Sequence, residues 1–526
     1  MSNANPLVLT IDLGTQSVRA ILVDKQGSIL HKAQHKYEKP YYSLNPGWAE
    51  QKPEVYWDGV CDVTNRLKEE AQDLWNDVIA VTITTIRDTC LCVNREGKPL
   101  RDVIVWLDKR QCEMPKPFPY YADRIFRLIG MKDTALLQRR ISACNWIMVN
   151  EPQIWQRTHK FIFISGFLTF QLTGRLADSV ANMIGHIPFN GRTRKWMGKF
   201  DLNRQIFDID NEKLTEVLEP GKTIGYITEK AAAETGIPQG LPLIATGSDI
   251  GCQTLGLSCL KPDSAAINFG TTATIQFTIN RYIEPLPYIP AYPAVLEKHY
   301  NPEVQIYRGY WHISWFKKEF ASREVDRAAE LNKKSDIKIT PEQILEKQLK
   351  KIPAGSEGLI FQPYFTPGVI MPRSKGSLIG FSDVHTRIHI YRAIIEGINF
   401  ALMDGLYTME KRGKVKIKKL FLAGGGSQSD TICQITANMF GLPAYRTNTH
   451  EATGLGSAMV AFVAKGVYDN IHEAAENMVH IKDEFLPNLE EHKTYKLLFK
   501  EVFSKVFDKI IPLYKNYEAR LNVKTV

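Results

Sequence analysis

The sequence predicts an α/β protein of two related halves, each built on a mixed sheet. Three observations predict it. Short strands separated by glycine turns open the chain, strand–helix alternation follows, and the opening strand–turn–strand unit recurs near mid-chain. At roughly 150 residues per domain, 526 residues allow three or four units or two large ones. The recurrence selects two.

The first strand is Leu7-Val8-Leu9-Thr10-Ile11, and a tight turn follows at Asp12-Leu13-Gly14-Thr15-Gln16-Ser17. A second strand, Val18–Val23, runs into a hairpin turn at Asp24-Lys25-Gln26-Gly27, and a third occupies Ser28–Gln34. Trp57, Val60, Cys61 and Leu67 then fall on one face at helical spacing, and the strand Val78–Thr84 comes next. An antiparallel meander giving way to β–α–β alternation requires a mixed sheet.

The repeat lays Ile11-Asp12-Leu13-Gly14-Thr15-Gln16-Ser17-Val18 on Ile267-Asn268-Phe269-Gly270-Thr271-Thr272-Ala273-Thr274, 256 positions later. It places the halves at 1–257 and 258–526, with Leu257–Asp263 as the connection. In the second half, the strand Leu420–Ala423 meets a glycine turn at Gly424-Gly425-Gly426-Ser427. A helix follows with Ile432, Ile435 and Met439 on one face, and another from about Gly454 turns Leu455, Met459, Val460 and Val463 inward. The last 35 residues read as a basic amphipathic docking helix carrying Leu497, Leu498, Val502, Val506 and Ile510.

Composition excludes several classes. Apolar residues are 44% and charged residues 23%, the balance of a folded globular chain. A net charge of +9 over 526 residues is a solvated surface excess, not a nucleic-acid footprint. No stretch approaches the ~18–20 apolar residues of a membrane span, and Phe161–Leu172 reads as buried core. The N-terminus lacks a basic, apolar leader, and the eight cysteines form no C-x-x-C pairs. A cytoplasmic protein with core thiols is expected, without membrane or nucleic-acid partners.

Chemistry enters at the turns. A Gly-Thr turn between strands bares backbone N–H groups, and glycine lets a phosphate approach the main chain closely. Gly14 opens such a turn, with Thr15, Gln16 and Ser17 adding side-chain donors, and Asp12 stands where it could hold Mg²⁺ through water. Gly270, Thr271 and Thr272 offer a second cradle, with Asn268 in place of the acid. Two cradles across a cleft would clamp a triphosphate, and the flat Gly424-Gly425-Gly426 turn could lie against a planar ring such as adenine. Asp249 ends a small-residue turn after the strand Leu243–Ala245, and suits either a helix N-cap or a general base. Arg87-Asp88 and Asp108 follow strand ends, where such charges either pair at the surface or bind polyol hydroxyls. Neither G-x-x-x-x-G-K-[ST], H-E-x-x-H nor G-x-S-x-G occurs.

These motifs, in order, resemble the FGGY carbohydrate kinases of the actin, hexokinase and heat-shock ATPase superfamily. Ile11–Arg19 resembles the family's first phosphate motif, Gly47-Trp48-Ala49-Glu50-Gln51 its early segment, and Trp106-Leu107-Asp108-Lys109-Arg110 its W-x-D-x-R strand end. Leu172-Thr173-Gly174 with Asp178 echoes a further block. Gly376–Phe381 with His389-Ile390 and Ala393–Gly397 resembles its C-terminal signature, and Ala423–Ser427 with Glu451–Ala458 its adenosine side.

The resemblance implies two actin-like (ribonuclease H-like) domains, each with a five-stranded mixed sheet, facing across a cleft. It implies ATP- and Mg²⁺-dependent phosphorylation of a sugar or polyol hydroxyl. A regulatory or ATPase member of the same superfamily is the alternative. Asp249 becomes the base, with Asp12 and Asp249 near Mg²⁺. Gly14, Thr15, Gln16, Ser17, Arg19, Gly270, Thr271 and Thr272 would serve the phosphates, and Gly424, Gly425, Gly426 and Gln428 the nucleoside. Arg87, Asp88, Asp108 and Asp249 would face the substrate, and the resemblance allows a homodimer. Where several pentulose kinases carry Met-His, this chain has Arg87-Asp88, closer to the Arg-Glu of glycerol kinases and some autoinducer-type kinases, so a ketose, a sugar alcohol or an autoinducer-type sugar is implied as acceptor. The shorter acid would leave room for a bulkier acceptor. The glycerol-kinase pattern after the base is replaced by Ile250-Gly251-Cys252.

Overall fold

The computed structural model describes residues 5–334, 338–366 and 374–521, with side chains to residue 514. The first sheet uses β1 (Leu7–Leu13), β2 (Ser17–Asp24), β3 (Ile29–Lys36), β4 (Val78–Thr85), β5 (Thr223–Tyr226) and β6 (Pro242–Ile244). Its spatial order is β5-β6-β4-β1-β2-β3. The expected meander forms β1–β2–β3, and β4 joins β1 in parallel. Every residue of β1 is buried, as a central strand covered on both faces requires. Helix α1 (Pro53–Ala71) starts on proline and lays Tyr56, Val60, Val63 and Leu67 on one side of the sheet. Trp57 and Cys61 are only half-buried. Helix α2 (Asp249–Gly256) closes the first half.

The second sheet uses β7 (Ser264–Phe269), β8 (Ala273–Gln276), β9 (Glu303–Ile306), β10 (Lys419–Ala423), β11 (Ala444–Thr447) and β12 (Ile481–Phe485). Its order is β9-β8-β7-β10-β11-β12. Read from the two-stranded edge β5-β6 or β12-β11, both sheets run antiparallel, parallel, parallel, antiparallel, antiparallel. The short sequence repeat therefore marks a repeat of whole topology. Each sheet has six strands rather than the expected five, because an antiparallel strand is added at one edge.

Four helices cover the second half's strands or cross between halves. They are α3 (Arg387–Gly413), α4 (Asp430–Phe440), α5 (Ala452–Ala464) and α6 (Ile471–Met478). The chain expected to divide after residue 257 does not divide its packing there. Helices α5 and α6 join Val8, Ile21, Val23, Ala80 and Ile244 of the first sheet in one apolar cluster. Thr82 Oγ1 and Ser457 Oγ lie 2.9 Å apart across this contact. Helices α2 and α5 cross glycine to glycine. A Cβ on Gly256 would collide with the Ala452 carbonyl, and one on Gly456 with that of Cys252.

The C-terminal signature lies in this scaffold. Glu396 is buried in α3, and its carboxylate accepts bonds from Arg392 Nε (2.7 Å), Ser356 Oγ (2.8 Å) and Tyr495 Oη (2.7 Å). Gly397 faces the Phe361 carbonyl too closely to admit a side chain. The predicted docking helix begins as Leu489–Leu498, passes through a π turn and continues over Ser504–Leu521. Val506 is buried, but Leu497 is 62% exposed and off the docked face. Residues 522–526 of that expectation lie outside the described residues. Seven of the eight cysteines are buried, Cys61 is half-buried, and all are free. No helix among the described residues is long and apolar enough to cross a membrane.

Candidate active site

The site begins at the β1–β2 hairpin. Gly14 N donates to Ser17 O at 2.9 Å, closing the turn, and Gln16 projects into solvent with Thr15 half-exposed. Ser17 Oγ is held by Gln34 Nε2 at 2.9 Å. Trp106 Nε1 donates to Thr15 Oγ1 at 3.0 Å and fixes its rotamer.

Asp12 and Arg19 face each other across this hairpin, with Nη1 to Oδ2 at 3.3 Å. Burial pushes the Asp12 carboxyl up to about 7; Arg19 opposes the shift, and the charges of Asp249 and Glu451 add to it. Arg19 also reaches Glu451, which opens α5 and pairs with Lys32 at 2.7 Å.

The β7–β8 hairpin repeats the turn. Tyr310 N donates to Gly270 O at 3.0 Å and Thr272 Oγ1 to Tyr307 O at 3.3 Å, leaving Thr271 exposed. The third glycine turn abuts this hairpin. Gly424 has φ +82 and packs on Asn268 and Phe269, Gly426 packs on Tyr310, and Gly425 opens onto empty space. Gln428 is exposed beside it. Arg446 anchors the turn from below, donating from Nη1 to Ser427 O at 2.8 Å. The hairpin and the glycine turn thus pack on one another, with Gly425 the open point of the turn.

Asp249 lies at the first residue of α2. The cap is Ser248, whose Oγ accepts from Gly251 N, while Asp249 Oδ1 accepts from Ile250 N at 2.8 Å. Burial pushes Asp249 upward, and Arg87, with Nε 4.0 Å from Oδ1, pulls it back. The preceding loop is braced by a buried segment. Ser179 Oγ donates to Thr246 O at 2.5 Å, and Asp178, pushed up to about 6 by burial, binds Ser165 and Asn182.

Arg87 and Asp88 follow β4. Arg87 donates Nε to Ser248 Oγ (3.2 Å) and a parallel pair, Nη1 and Nη2, to the two oxygens of Glu303 (both 2.9 Å). Glu303 starts β9 of the second half, so this fork spans the halves. Asp88 adopts φ +52 and takes His186 N at 2.9 Å and His186 Nδ1 at 2.5 Å. Burial pulls His186 down, but Asp88 outweighs it and the imidazole is shifted upward. The Gly185-His186 segment fills the space beside Asp88, so the shorter acid leaves no free room there.

The structure gathers Asp12, Arg19 and the first turn near Asp249, Arg87 and Asp88, and joins the second turn to Gly424–Gln428. Asp108 is placed differently. Both its oxygens are bound by Arg110 at 2.8 Å, and Oδ2 also accepts from Ala49 N. Arg110 in turn stacks on Trp48 at 4.0 Å and pairs with Glu50 at 2.9 Å. Sequence reasoning missed Glu303 and His186. Each sits in no motif, and the chain separates them from their partners by 216 and 98 positions.

The N-terminal domain of the FGGY family of carbohydrate kinases matches residues 7–256, and its C-terminal domain matches 265–465. The chain is 26% identical to the sugar kinase YgcE of Escherichia coli (strain K12), covering 97% of this chain and 96% of that one. It is 24% identical to the xylulose kinase of Lactococcus lactis subsp. lactis (strain IL1403), covering 95% and 96%. In shape it is similar to the gluconate kinase from Lactobacillus acidophilus, with a TM-score of 0.81 at 22% identity over 98% of this chain and 100% of that chain.

Proposed function

The chain belongs to the FGGY family of carbohydrate kinases and is an ATP-dependent carbohydrate kinase, and we propose that Asp249 is the base that activates its acceptor. The observation that carries this reading is the position of Asp249. It stands at the first residue of α2, one oxygen bound by Ile250 N, between the Arg87 cluster and the charge of Asp12. Phosphoryl transfer asks for positioning and charge neutralisation more than for covalent chemistry. An acceptor hydroxyl attacks the γ-phosphorus, the bond to the leaving ADP oxygen breaks, and Asp249 takes the hydroxyl proton. Burial raises its proton affinity, as a base needs, and Arg87 partly offsets the rise.

The turns Gly14–Ser17 and Gly270–Thr272 receive the phosphates, Gly14 by allowing close approach since its own N–H is bound to Ser17 O, and Gly424, Gly425, Gly426 and Gln428 receive the nucleoside. The support is that Gln16, Thr271, Gly425 and Gln428 are exposed, and that Asn268 packs against both Gly270 and Gly424. Arg87 and Asp88 meet the acceptor. Asp108 acts through Arg110 and Trp48 to fix the strand end that carries Trp106. The domains are assigned as 1–257 and 258–526 by chain order, with α5 and α6 returning to the first sheet.

Asp12 and Asp249 fit Mg²⁺. Asp12 is buried beside one arginine and feels two further carboxylates, so a cation supplies charge that the protein lacks there. Among the described residues no group of three or more His, Cys, Asp or Glu is set to hold a metal, and a Mg²⁺ held by these two acids would take its other ligands from phosphate and water. When bound, the ion neutralises charge on the transferring phosphoryl group.

Asp249→Asn tests the base. Its kcat should fall by roughly 10²–10⁴ while the Kd of a non-hydrolysable ATP analogue stays within about twofold. Turnover at the wild-type rate would remove Asp249 from the role.

A further inference from the structure

We propose that Glu303 determines acceptor specificity: by occupying Arg87 it restricts the site to uncharged polyols and ketoses and turns away sugar acids. The proposal rests on the reading of the Arg87–Asp88–Asp249 region as the acceptor site.

Arg87 is the positive charge beside Asp249, and an unoccupied guanidinium there would be a carboxylate receptor. A planar fork binds a carboxylate through two parallel N–H···O bonds. In this chain the receptor is already filled. Glu303 supplies that carboxylate, with both oxygens at 2.9 Å and no side-chain exposure. Gln305 Nε2 adds a third bond to Glu303 at 2.6 Å and holds it in place. The Tyr292 ring lies 5.0 Å from the guanidinium carbon and covers it further.

The remaining charges have the same sense. Asp88 is turned onto His186. Even with His186 protonated, Arg87 and His186 face the three carboxylates of Asp88, Asp249 and Glu303. The cluster is net negative before an acceptor arrives, and an incoming carboxylate meets repulsion with no free fork to receive it. Specificity of this kind is built by the repulsive element as much as by the attractive one. A neutral hydroxyl meets different conditions. Three of the five guanidinium N–H donors are used among the described residues, which leaves two for hydroxyl oxygens.

The test compares kcat/KM for glycerol, erythritol, xylulose, ribulose and gluconate in the wild type, Glu303→Gln and Glu303→Asp, with gluconate binding followed by calorimetry. In the wild type, gluconate should be at least about 100-fold poorer than the best neutral acceptor, since misplaced like charges cost several kcal/mol. Glu303→Gln should shift the gluconate-to-neutral ratio by about tenfold or more, chiefly through KM, and bring gluconate binding into calorimetric range. Glu303→Asp, which keeps the charge, should retain the wild-type ranking. A wild type that prefers gluconate, or a ratio unmoved in Glu303→Gln while Glu303→Asp folds and turns over, overturns the proposal and leaves the kinase reading standing. ADP release unaffected by every acceptor, with ATP still bound, overturns the acceptor-site reading itself and the proposal with it.

Discussion

The β1–β2 and β7–β8 hairpins have the same strand pairing, the same parallel neighbour and glycines with almost equal room. A Cβ on Gly14 would lie 3.3 Å from Ser17 O, and one on Gly270 3.2 Å from Thr272 O. They differ in the residue pair across the strands. Asp12 faces Arg19 in the first hairpin, and Asn268 faces Thr274 in the second. The first hairpin carries charge toward Asp249. The second is neutral and leans on the Gly424 turn. The difference teaches that one backbone turn is kept in both halves while the pair across its strands is free to change from charged to neutral, which, on the proposed reading, separates a turn that works beside the base from one that works beside the nucleoside.

Making the hairpins alike is the strongest way to break this comparison. Asp12→Asn should lower kcat by roughly 10²-fold, the scale of losing one preorganised electrostatic contact, and steady-state kinetics at saturating ATP would show it. An unchanged kcat would mean that the acid at position 12 is not part of the division. The reciprocal change, Asn268→Asp, adds a negative charge beside a phosphate turn. It should raise the ATP KM by about tenfold with a smaller change in kcat, as expected for like charges at an effective dielectric near 20. A loss of kcat equal to that of Asp12→Asn would collapse the distinction.

Equal backbone roles predict equal sensitivity to a methyl group. Gly14→Ala and Gly270→Ala should each cost about 1 kcal/mol in ATP binding, measured by titration, because the nearby oxygens must give by only a few tenths of an ångström. The smallest effect is on stability. Above 3.8 the unfolded chain has lost the Asp12 proton, and the folded chain without a bound cation keeps it up to about 7. Stability therefore falls with rising pH across that window. Chemical denaturation at several pH values should show a shallower fall in Asp12→Asn than in the wild type.

The sequence disclosed the hairpins because their demands are local. A strand, a glycine and a strand must be contiguous, and the copy at Ile267 announces the duplicated topology. Asp249 is legible as either cap or base; the structure puts Ser248 at the cap, with Asp249 one residue on and bound by Ile250 N at 2.8 Å, and the base role stays a proposal. Asp108 was read as facing the acceptor, but Arg110, two residues on, binds both its oxygens. Its spacing alone does not reveal whether the arginine folds back. Glu303 and His186 were hidden for a different reason. Their contacts to Asp88 and Arg87 exist only after a distant loop and a distant strand meet the end of β4, and neither carries a periodicity or a turn that would mark it. The Glu396 signature was legible as a motif, yet its buried bonds to Arg392, Ser356 and Tyr495 make it framework.

The return of α5 and α6 to the first sheet has a consequence for synthesis. Val8, Ile21 and Val23 are fully buried by elements that lie more than four hundred residues later in the chain. Leaving three such side chains bare forfeits about 1.5–3 kcal/mol each, a sum comparable with the whole stability of a modest domain. Residues 1–257 emerging from the ribosome therefore form a sheet with one face unsealed. That face is closed only when Met478 has emerged and packed its backbone against Gly27. A truncated first half should therefore behave as an aggregating intermediate instead of an autonomous domain.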